Sequence, residues 1–389
     1  MKSLREITLR ESNPLDSSAL NDFFSDIQTE GKLNIKIRRQ IDFFSFYHRL
    51  NLKFKNFIFE STKNNDGVSE AKPEVLGTAT FLFQHRLLFN QVVKIALACD
   101  LRISPKRRAI LNWSHFFLPK ISDLQIQEKI DHFVTSINLT ESKAINAFLR
   151  PRQFHTNLPI YELIHKYNLV SIHGFFPLRY QLHKNITTCY ANENDKNQII
   201  EFIKNKLKNY DFIPEELLSD FENYISKSII YSFSRFIIAK DLKGNIIGCT
   251  HPISSGILQD YFPQKYDHQA NNFRQFLKFA SLLGFARRLT RPFSSTNKEQ
   301  TLNFRILHFL FFDHPEVLKS LIHFSYKDSR YNEFLIYAYQ PNQYEYRPPH
   351  GSLYSETPYG LFEIKKSDAP SYQSKIKISK NIFLDYLWF

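Results

Sequence analysis

A nearly all-apolar strand that runs through a proline turn into a basic helix start constrains this chain most. The strand is QVVKIALACDLRIS, residues 91–104, and its apolar centre indicates burial on both faces of a sheet. The segment PKRRAILNWSHFFLPKI follows, with helical periodicity and a proline in its first turn. Strand, tight turn and basic helix start are together typical of phosphate-binding sites, although the glycines that usually line such a turn are missing.

Four cations lie in the seven residues that join this strand to this helix. They are Arg102, Lys106, Arg107 and Arg108. One interpretation is that they bind cofactor phosphates at the helix N-terminus, where free N–H groups and the helix dipole favour an anion. The alternative is an ordinary solvated helix start, and the residues themselves leave both open.

The rest of the chain contains strands and helices in an order that occurs twice. The first half predicts a strand, helices, three strands, a helix, a strand, a helix and two closing strands within residues 160–178. From about Asn185 this order is repeated approximately, with a strand, helices and a hairpin that turns at Lys243-Gly244. A helical stretch is predicted over residues 257–291, followed by a strand, a helix and a strand. Two similar units indicate a tandem arrangement whose halves pack against each other.

This order resembles the GNAT acyltransferase fold. DLRISPKRRAIL is similar to the family's acyl-CoA signature, a strand that ends in D-L-R-V-x-P before a basic turn and a helix. EVLGTATF and, in the second half, GNIIGC resemble the family's third strand. The resemblance implies an α/β protein of two tandem GNAT-like domains, each a mixed central sheet flanked by helices. We expect these domains at residues 1–182 and 183–389, the second one degenerate.

The resemblance also implies an acyl-CoA site in the first domain, for acetyl-CoA or another acyl-CoA. Its residues would be Arg102, Ile103, Lys106, Arg107, Arg108, Ala109 and Leu111. In the family the turn reads R-G-x-G-x-G/A, and its backbone N–H groups hold the pyrophosphate. Arg108 matches the arginine, but Ala109, Leu111 and Trp113 stand where glycines belong, and the last two would crowd a diphosphate. The neighbouring cations can replace lost backbone contacts by charge, each worth about 1 kcal/mol.

Acyl transfer to an amine needs a group that deprotonates an ammonium, and Asp100 is the candidate. An ion pair with a nearby arginine is the alternative role. The family often uses a tyrosine on a late helix to protonate the leaving thiolate, and TESKAINAFLRPRQF resembles that helix, but the matching position holds Phe148. Tyr47 and His48, in RRQIDFFSFYHRL, lie where the family places acceptor-binding elements, or they belong to the core.

Two functions therefore stay open, and with them the question of whether the protein is an enzyme. The first is an acyl-CoA-dependent N-acyltransferase that transfers an acetyl or other acyl group to a small-molecule or peptide amine. The second is a catalytically inactive GNAT-like protein that binds a ligand or partner. The C-terminal segment IFLDYLWF predicts a strand. Its apolar end is also compatible with the tandem N-myristoyltransferases, which use a buried C-terminal carboxylate as base.

The formal net charge of +13 favours anionic partners, namely nucleic acid, an acidic membrane surface or a phosphate-rich cofactor. Because the excess charge is dispersed along the chain, we expect no nucleic-acid partner. An uninterrupted apolar run long enough to span a membrane is missing, so we expect no membrane span. Cys99, Cys189 and Cys249 are far apart, without metal-ligand spacing. We therefore expect reduced thiols, a cytoplasmic protein and no metal site.

Overall fold

The computed structural model consists of strands and helices along most of the chain. It describes residues 6–27, 31–62, 73–142, 145–149, 159–176, 182–257, 259–294, 298–365, 376, 378 and 381–384. None of the helices in these ranges is long and apolar enough to cross a membrane.

The first half begins with a strand and two helices and continues mainly as strands. In chain order its elements are β1 (Glu6–Glu11), α1 (Ser17–Asp26), β2 (Leu33–Arg39), α2 (Ser45–Arg49), β3 (Lys53–Thr62), β4 (Glu74–Leu88), β5 (Gln91–Ile103), α3 (Arg107–Gln127), β6 (His132–Asn138) and β7 (Ile160–Phe175). The turn between β4 and β5 consists of Phe89 and Asn90, both in the left-handed region, as a two-residue hairpin turn requires. A single π-helical turn, Ile145–Leu149, lies within the helix predicted between β6 and β7.

The second half repeats this order with more helix. Its elements are β8 (Thr187–Tyr190), α4 (Lys196–Leu207), β9 (Tyr210–Asp211), β10 (Ile213–Pro214), α5 (Glu215–Ser219), α6 (Phe221–Lys227), β11 (Ile237–Lys240), β12 (Ile246–Ser254), β13 (Gln259–Tyr266), α7 (His268–Leu282), β14 (Asn303–Phe312), α8 (Pro315–Asp328), β15 (Glu333–Tyr339), β16 (Ser352–Lys365) and β17 (Asn381–Ile382). The predicted hairpin turn at Lys243-Gly244 is confirmed, with Gly244 at a φ of 86°.

One mixed sheet runs through both halves and is flanked by helices. Its strand order is β1-β3-β4-β5-β6-β16-β7-β15-β14-β12-β11-β8, and the pairs β5–β6 and β14–β15 are parallel. The last long strand of each half pairs with the other half. Strand β16 lies between β6 and β7, and β7 pairs in turn with β15. The halves therefore share a single sheet through exchanged strands.

A two-stranded ribbon forms a second connection between the halves. Strand β2 of the first half pairs antiparallel with β13 of the second, from Leu33 opposite Tyr266 to Arg39 opposite Gln259. The ribbon packs on the sheet through Tyr261, whose ring centroid lies 5.0 Å from that of Phe304.

The helices that follow β5 and β14 occupy equivalent positions in the two halves. Helix α3 packs on the sheet through Ala109, Trp113 and Phe117, whereas α8 packs through Val317 and Leu321. At Gly248 in β12 an added Cβ would lie 2.5 Å from Cγ1 of Val317, so a glycine there lets α8 approach the sheet.

Three expectations about local structure differ from what is observed. Residues 160–175 form one long strand rather than two, because pairing with β16 continues along the whole of β7, with two shifts of register. The stretch 257–291 is helical only in α7, since β13 precedes that helix. Strands β2 and β16 have no counterpart in the predicted order, and both take part in pairing between the halves.

The exchanged strands predict that the two halves fold together. We expect the full chain to unfold in one cooperative transition in scanning calorimetry, with equal calorimetric and van't Hoff enthalpies. The separate pieces 1–182 and 183–389 would each expose the edge of a sheet that normally lies in its interior, and we expect neither to fold alone. Mixed under refolding conditions, they should reassemble. Two resolved transitions, or a folded first piece, would contradict the shared sheet.

Candidate functional site

The site begins at a β-bulge in the second half of β5. Thr80 of β4 lies opposite Cys99 and Thr78 lies opposite Arg102, so Ala79 alone faces both Asp100 and Leu101. Asp100 has a φ of 53°, in the left-handed region that a side chain other than that of glycine seldom adopts. A bulge of this kind interrupts the ladder and leaves backbone N–H groups that do not pair with the neighbouring strand.

Just before the bulge, β5 separates from β6. The parallel ladder joins Ile95, Ala96 and Leu97 to His132, Phe133 and Val134, and over the described residues it ends there. Only a side chain continues the connection, as Thr135 Oγ1 donates to the Ala98 carbonyl at 2.9 Å. Residues 98–103 are all partly exposed, whereas Ile95–Leu97 are buried. The two strands therefore enclose a wedge-shaped opening.

Asp100 lies at this opening and is held by the side chains of Arg39, the last residue of β2, and Tyr47 of α2. Its Oδ2 accepts hydrogen bonds from the Arg39 guanidinium and from the Tyr47 hydroxyl. The same hydroxyl shares a hydrogen bond of 2.8 Å with Thr80 Oγ1. Burial raises the pKa of Tyr47 well above its usual value, so the phenol stays protonated and donates. The arginine that the ion-pair alternative for Asp100 requires is therefore present, and Oδ1 takes part in neither of these two hydrogen bonds.

Arg39 is 3% exposed, which is rare for a cation with one ion-pair partner. Four aromatic rings surround its guanidinium, with centroids 4.2 to 5.1 Å away. They belong to Phe24, Phe43, Phe46 and Tyr47. Contacts between a cation and ring faces offset part of the cost of removing the charge from water. The ion pair therefore has a rigid aromatic support.

Further polar groups surround the opening. The Arg102 guanidinium lies 4.7 Å from the Phe24 ring and donates to the Ile27 carbonyl at 3.2 Å, and burial lowers its pKa. On the side of the exchanged strands, the rings of Tyr167 and Tyr359 stack at 5.5 Å. Burial raises the pKa of Tyr359 to about 12, and Glu141 acts in the same direction. The opening thus has charged groups on β5 and, on β16, the partly exposed Tyr359, which lies opposite Asn138 of β6, whereas Tyr167 is fully buried.

The basic turn follows directly on β5, and a carboxylate from β4 neutralises part of it. The Lys106 ammonium and the Arg108 guanidinium both form ion pairs with Glu74. Arg107 is exposed, and the described residues provide no ion-pair partner for it. Lys106 is the N-cap of α3 and has no capping side chain, which leaves the first N–H groups of the helix available.

Two of the three residues that stand where the signature has glycine pack in the core. Ala109 is buried, and Trp113 packs in the core beneath α3, 6.3 Å from the Phe117 ring and 9% exposed. The crowding expected from Trp113 is therefore not observed. The side chains of Leu111 and Phe148 lie outside the described part of the structure.

The second half contains the same bulge with different side chains. His251 of β12 lies opposite His308 and Cys249 lies opposite Phe311, so Phe309, with a φ of 51°, corresponds to Asp100. The parallel pairing of β14 with β15 ends at Ile306, at the same distance before the bulge as in β5. In both halves the strand therefore separates from its parallel neighbour and then forms a bulge, which is the backbone arrangement that borders the opening in the first half.

The opening of the second half is closed by the chain itself. Gln340 exchanges two hydrogen bonds with the backbone of Ile382, at 2.8 and 2.9 Å, and Phe383 packs against Phe309 and His308. Residues 307–312 are all buried. The cavity that remains has a volume of about 50 Å³, far below the roughly 300 Å³ of a small ligand pocket. Residues 385–389, which the hypothesis of a C-terminal base concerns, lie outside the described residues.

The sequence-predicted residues thus lie along one continuous path. Asp100, Arg102 and Ile103 end β5, and the basic turn follows them into α3. Sequence reasoning missed Arg39 and Glu74, the two side chains that bind Asp100 and the cations. The run RRQIDFFSFYHRL contained a signal for the first, because it places an arginine among closely spaced aromatic residues. His48, unlike Tyr47, is exposed.

No family model and no curated protein sequence matches this chain. Solved structures do. A Saccharomyces cerevisiae N-myristoyltransferase with bound myristoyl-CoA and inhibitors superimposes with a TM-score of 0.56 at 8% identity, over 97% of this chain and 86% of that chain. Another structure of the yeast enzyme, with bound myristoyl-CoA, gives 0.53 at 10% identity, over 97% and 89%.

A third similar structure is the GCN5-related glucosamine N-acetyltransferase region of a fungal multi-domain GH3 β-N-acetylglucosaminidase. It superimposes with a TM-score of 0.53 at 9% identity, over 92% of this chain and 38% of that chain. At such low identity these likenesses concern the fold. The expected α/β class and the resemblance are confirmed: this chain has the GNAT fold in a tandem arrangement of two GNAT-like units.

Proposed function

We propose that this protein is an acyl-CoA-dependent N-acyltransferase whose cofactor binds in the first half. The observation that supports this most is the contrast between the two bulges. Residues 98–103 are partly exposed along an opening with charged walls, whereas residues 307–312 are buried beneath the chain's own C-terminal segment. The domain boundary between residues 182 and 183 stays a prediction.

The residues around the opening fit an acyl-CoA in its chemistry and placement. A thioester arm needs a strand edge with free backbone groups, which β5 offers where it leaves β6. A diphosphate needs positive charge, which Lys106, Arg107, Arg108 and the start of α3 supply at the end of the same strand. Arg102, Ile103, Ala109 and Leu111 complete the proposed cofactor site. Bound there, acyl-CoA would supply an activated acyl group, acetyl in the simplest case.

The chain's own groups would then serve the transfer in two ways. Backbone N–H groups at the bulge polarise the thioester carbonyl as negative charge develops on its oxygen. Asp100 Oδ1 accepts the proton that the acceptor ammonium must lose before nitrogen can attack. The C–N bond would then form as the C–S bond breaks, and the second proton that nitrogen loses would go to the departing thiolate, which leaves as the thiol. Arg39 and Tyr47 fix the carboxylate by its other oxygen, which makes them positioning residues. We propose an amine acceptor, small molecule or peptide, and a cytoplasmic location in keeping with the free cysteines.

One observation favours the alternative, a GNAT-like protein that binds a ligand without transferring an acyl group. Glu74 pairs with two of the three cations of the turn, and the Asp100 carboxylate has an arginine partner. In a binding protein these ion pairs would be structural. Cofactor binding without turnover in the experiments below would support this second function.

The competition between Glu74 and a diphosphate can be tested by calorimetric titration with CoA and acetyl-CoA. Glu74→Gln releases Lys106 and Arg108, so we expect it to tighten binding by about threefold to tenfold. Arg107→Glu should weaken binding by about tenfold. The matched control is Lys129→Glu, the same charge change near the opposite end of α3, which should leave the affinity unchanged. If neither thioester nor CoA binds the native chain, the cofactor proposal is wrong.

The role of Asp100 can be tested by the release of CoA thiol in the presence of a panel of primary amines. Asp100→Asn should keep the cofactor affinity and lower the transfer rate by about a hundredfold at neutral pH. The deficit should shrink as pH rises toward the pKa of the amine, because free amine then forms without the base. Tyr47→Phe, which keeps Oδ1 but removes a positioning hydroxyl, should give a smaller loss without that pH dependence. Equal losses at every pH would assign Asp100 a structural role.

A further inference from the structure

Helix α7 carries a second apolar face that nothing in the described structure covers. Its inner face, formed by Phe273, Leu277 and Ala280, packs against Ala286 and Leu353. On the outer side four large apolar residues follow one another within eight positions. Their exposed fractions are 43% for Phe276, 61% for Phe279, 67% for Leu282 and 53% for Leu283.

These four residues form one patch. Phe276, Phe279 and Leu282 follow one another at intervals of three positions, so each lies about one turn from the next, and Leu283 is the C-cap residue beside Leu282. We call them the α7 patch. Single exposed apolar residues are common on protein surfaces, but a contiguous group of this size marks a surface that binds something apolar.

The helix that carries the patch and the segment that follows it have charge of one sign. Residues 268–294 contain Arg274, Lys278, Arg287, Arg288 and Arg291 and not one aspartate or glutamate. Lys278, Arg288 and Arg291 are exposed, and Lys278 lies one turn before Leu282. At other cation clusters a carboxylate lies among the cations, as Glu74 and Glu128 do. The local excess of positive charge therefore fits an anionic partner.

We propose that the α7 patch docks this protein on the surface of an anionic lipid bilayer. An anionic bilayer offers both halves of the match, headgroup phosphates for the exposed cations and an acyl interior for the phenylalanine and leucine side chains. Side chains that are more than half exposed protrude from the surface, which suits insertion into a deformable layer better than docking on a rigid protein. Nucleic acid would match the cations but not the apolar residues. The helix lies on the membrane and does not cross it.

The test is flotation of the full-length protein with vesicles of phosphatidylcholine alone or mixed with phosphatidylglycerol. We expect binding to the mixed vesicles, weak binding to the neutral ones, and loss of binding as salt screens the charges. Phe279→Asp with Leu282→Asp should weaken binding by about tenfold or more, since each removes an inserting side chain. Leu242→Asp, at a residue 77% exposed in the β11–β12 turn, is the matched control and should have no effect.

A second pair of variants separates charge from insertion. Lys278→Glu with Arg291→Glu should weaken binding to the mixed vesicles by about tenfold and leave the weak neutral binding unchanged. Lys208→Glu with Lys243→Glu is the control for net charge. The proposal is wrong if mixed vesicles do not bind at low salt, or if the control pairs lower binding as much as the patch variants. Tighter binding to a DNA or RNA fragment that is insensitive to Phe279→Asp would likewise overturn it. Because every changed side chain is exposed, thermal unfolding should stay unchanged in each variant.

Discussion

The exchange of the last long strand between the two halves is the interaction on which the rest of the structure depends. Strand β16 fills the position between β6 and β7, and β7 in turn borders the second half through β15. Without β16, β6 would be an unpaired edge just where it leaves β5. The exchange therefore supports one wall of the proposed site with a strand from the other half, and places Tyr359 of β16 there.

The two bulges have the same backbone geometry, but one borders a partly exposed strand and the other a buried strand. Each half has a left-handed residue at the same point of the same strand, and in each half the parallel neighbour separates just before it. In the first half that residue is an aspartate, and solvent reaches the strand. In the second it is Phe309, which packs with Phe383 and with Phe236 into an aromatic cluster. The same backbone geometry thus borders an opening with charged side chains in the first half and is filled by aromatic rings in the second.

Local patterns sufficed for those parts of the fold whose contacts are close in sequence. Two parts of the fold could be predicted in this way: the buried strand, turn and helix around Pro105, and the hairpin at Gly244. The periodicity of apolar residues and the residue types at the turns determine them. The resemblance of EVLGTATF to GNIIGC reflects real equivalence, since Gly77 faces Ile103 as Gly248 faces Phe312. Strands β2, β13 and β16 were not predicted, because each pairs with a strand of the other half. A local sequence pattern contains no information about a partner so far away in the chain.

The site was predictable in its types of residue but not in its partners. Asp100 and the basic turn stand out in the sequence because they adjoin a strand end, whereas the residues that bind them come from other elements. Arg39 looks like a surface residue in LNIKIRR, and only the fold shows it among four rings.

Glu74 has a consequence for how a turn without glycines can function. In the glycine-rich version of the turn, backbone N–H groups contact the diphosphate directly, and that contact does not depend on side-chain partners. In this chain the attraction resides in side chains, and a single carboxylate already occupies two of them. A diphosphate carries more negative charge than Glu74 and can replace it, but the free energy of breaking those ion pairs is subtracted from the free energy of binding. If the proposed cofactor site is right, binding at this turn would exchange one anion for another, and its affinity would depend on Glu74 as much as on the cations.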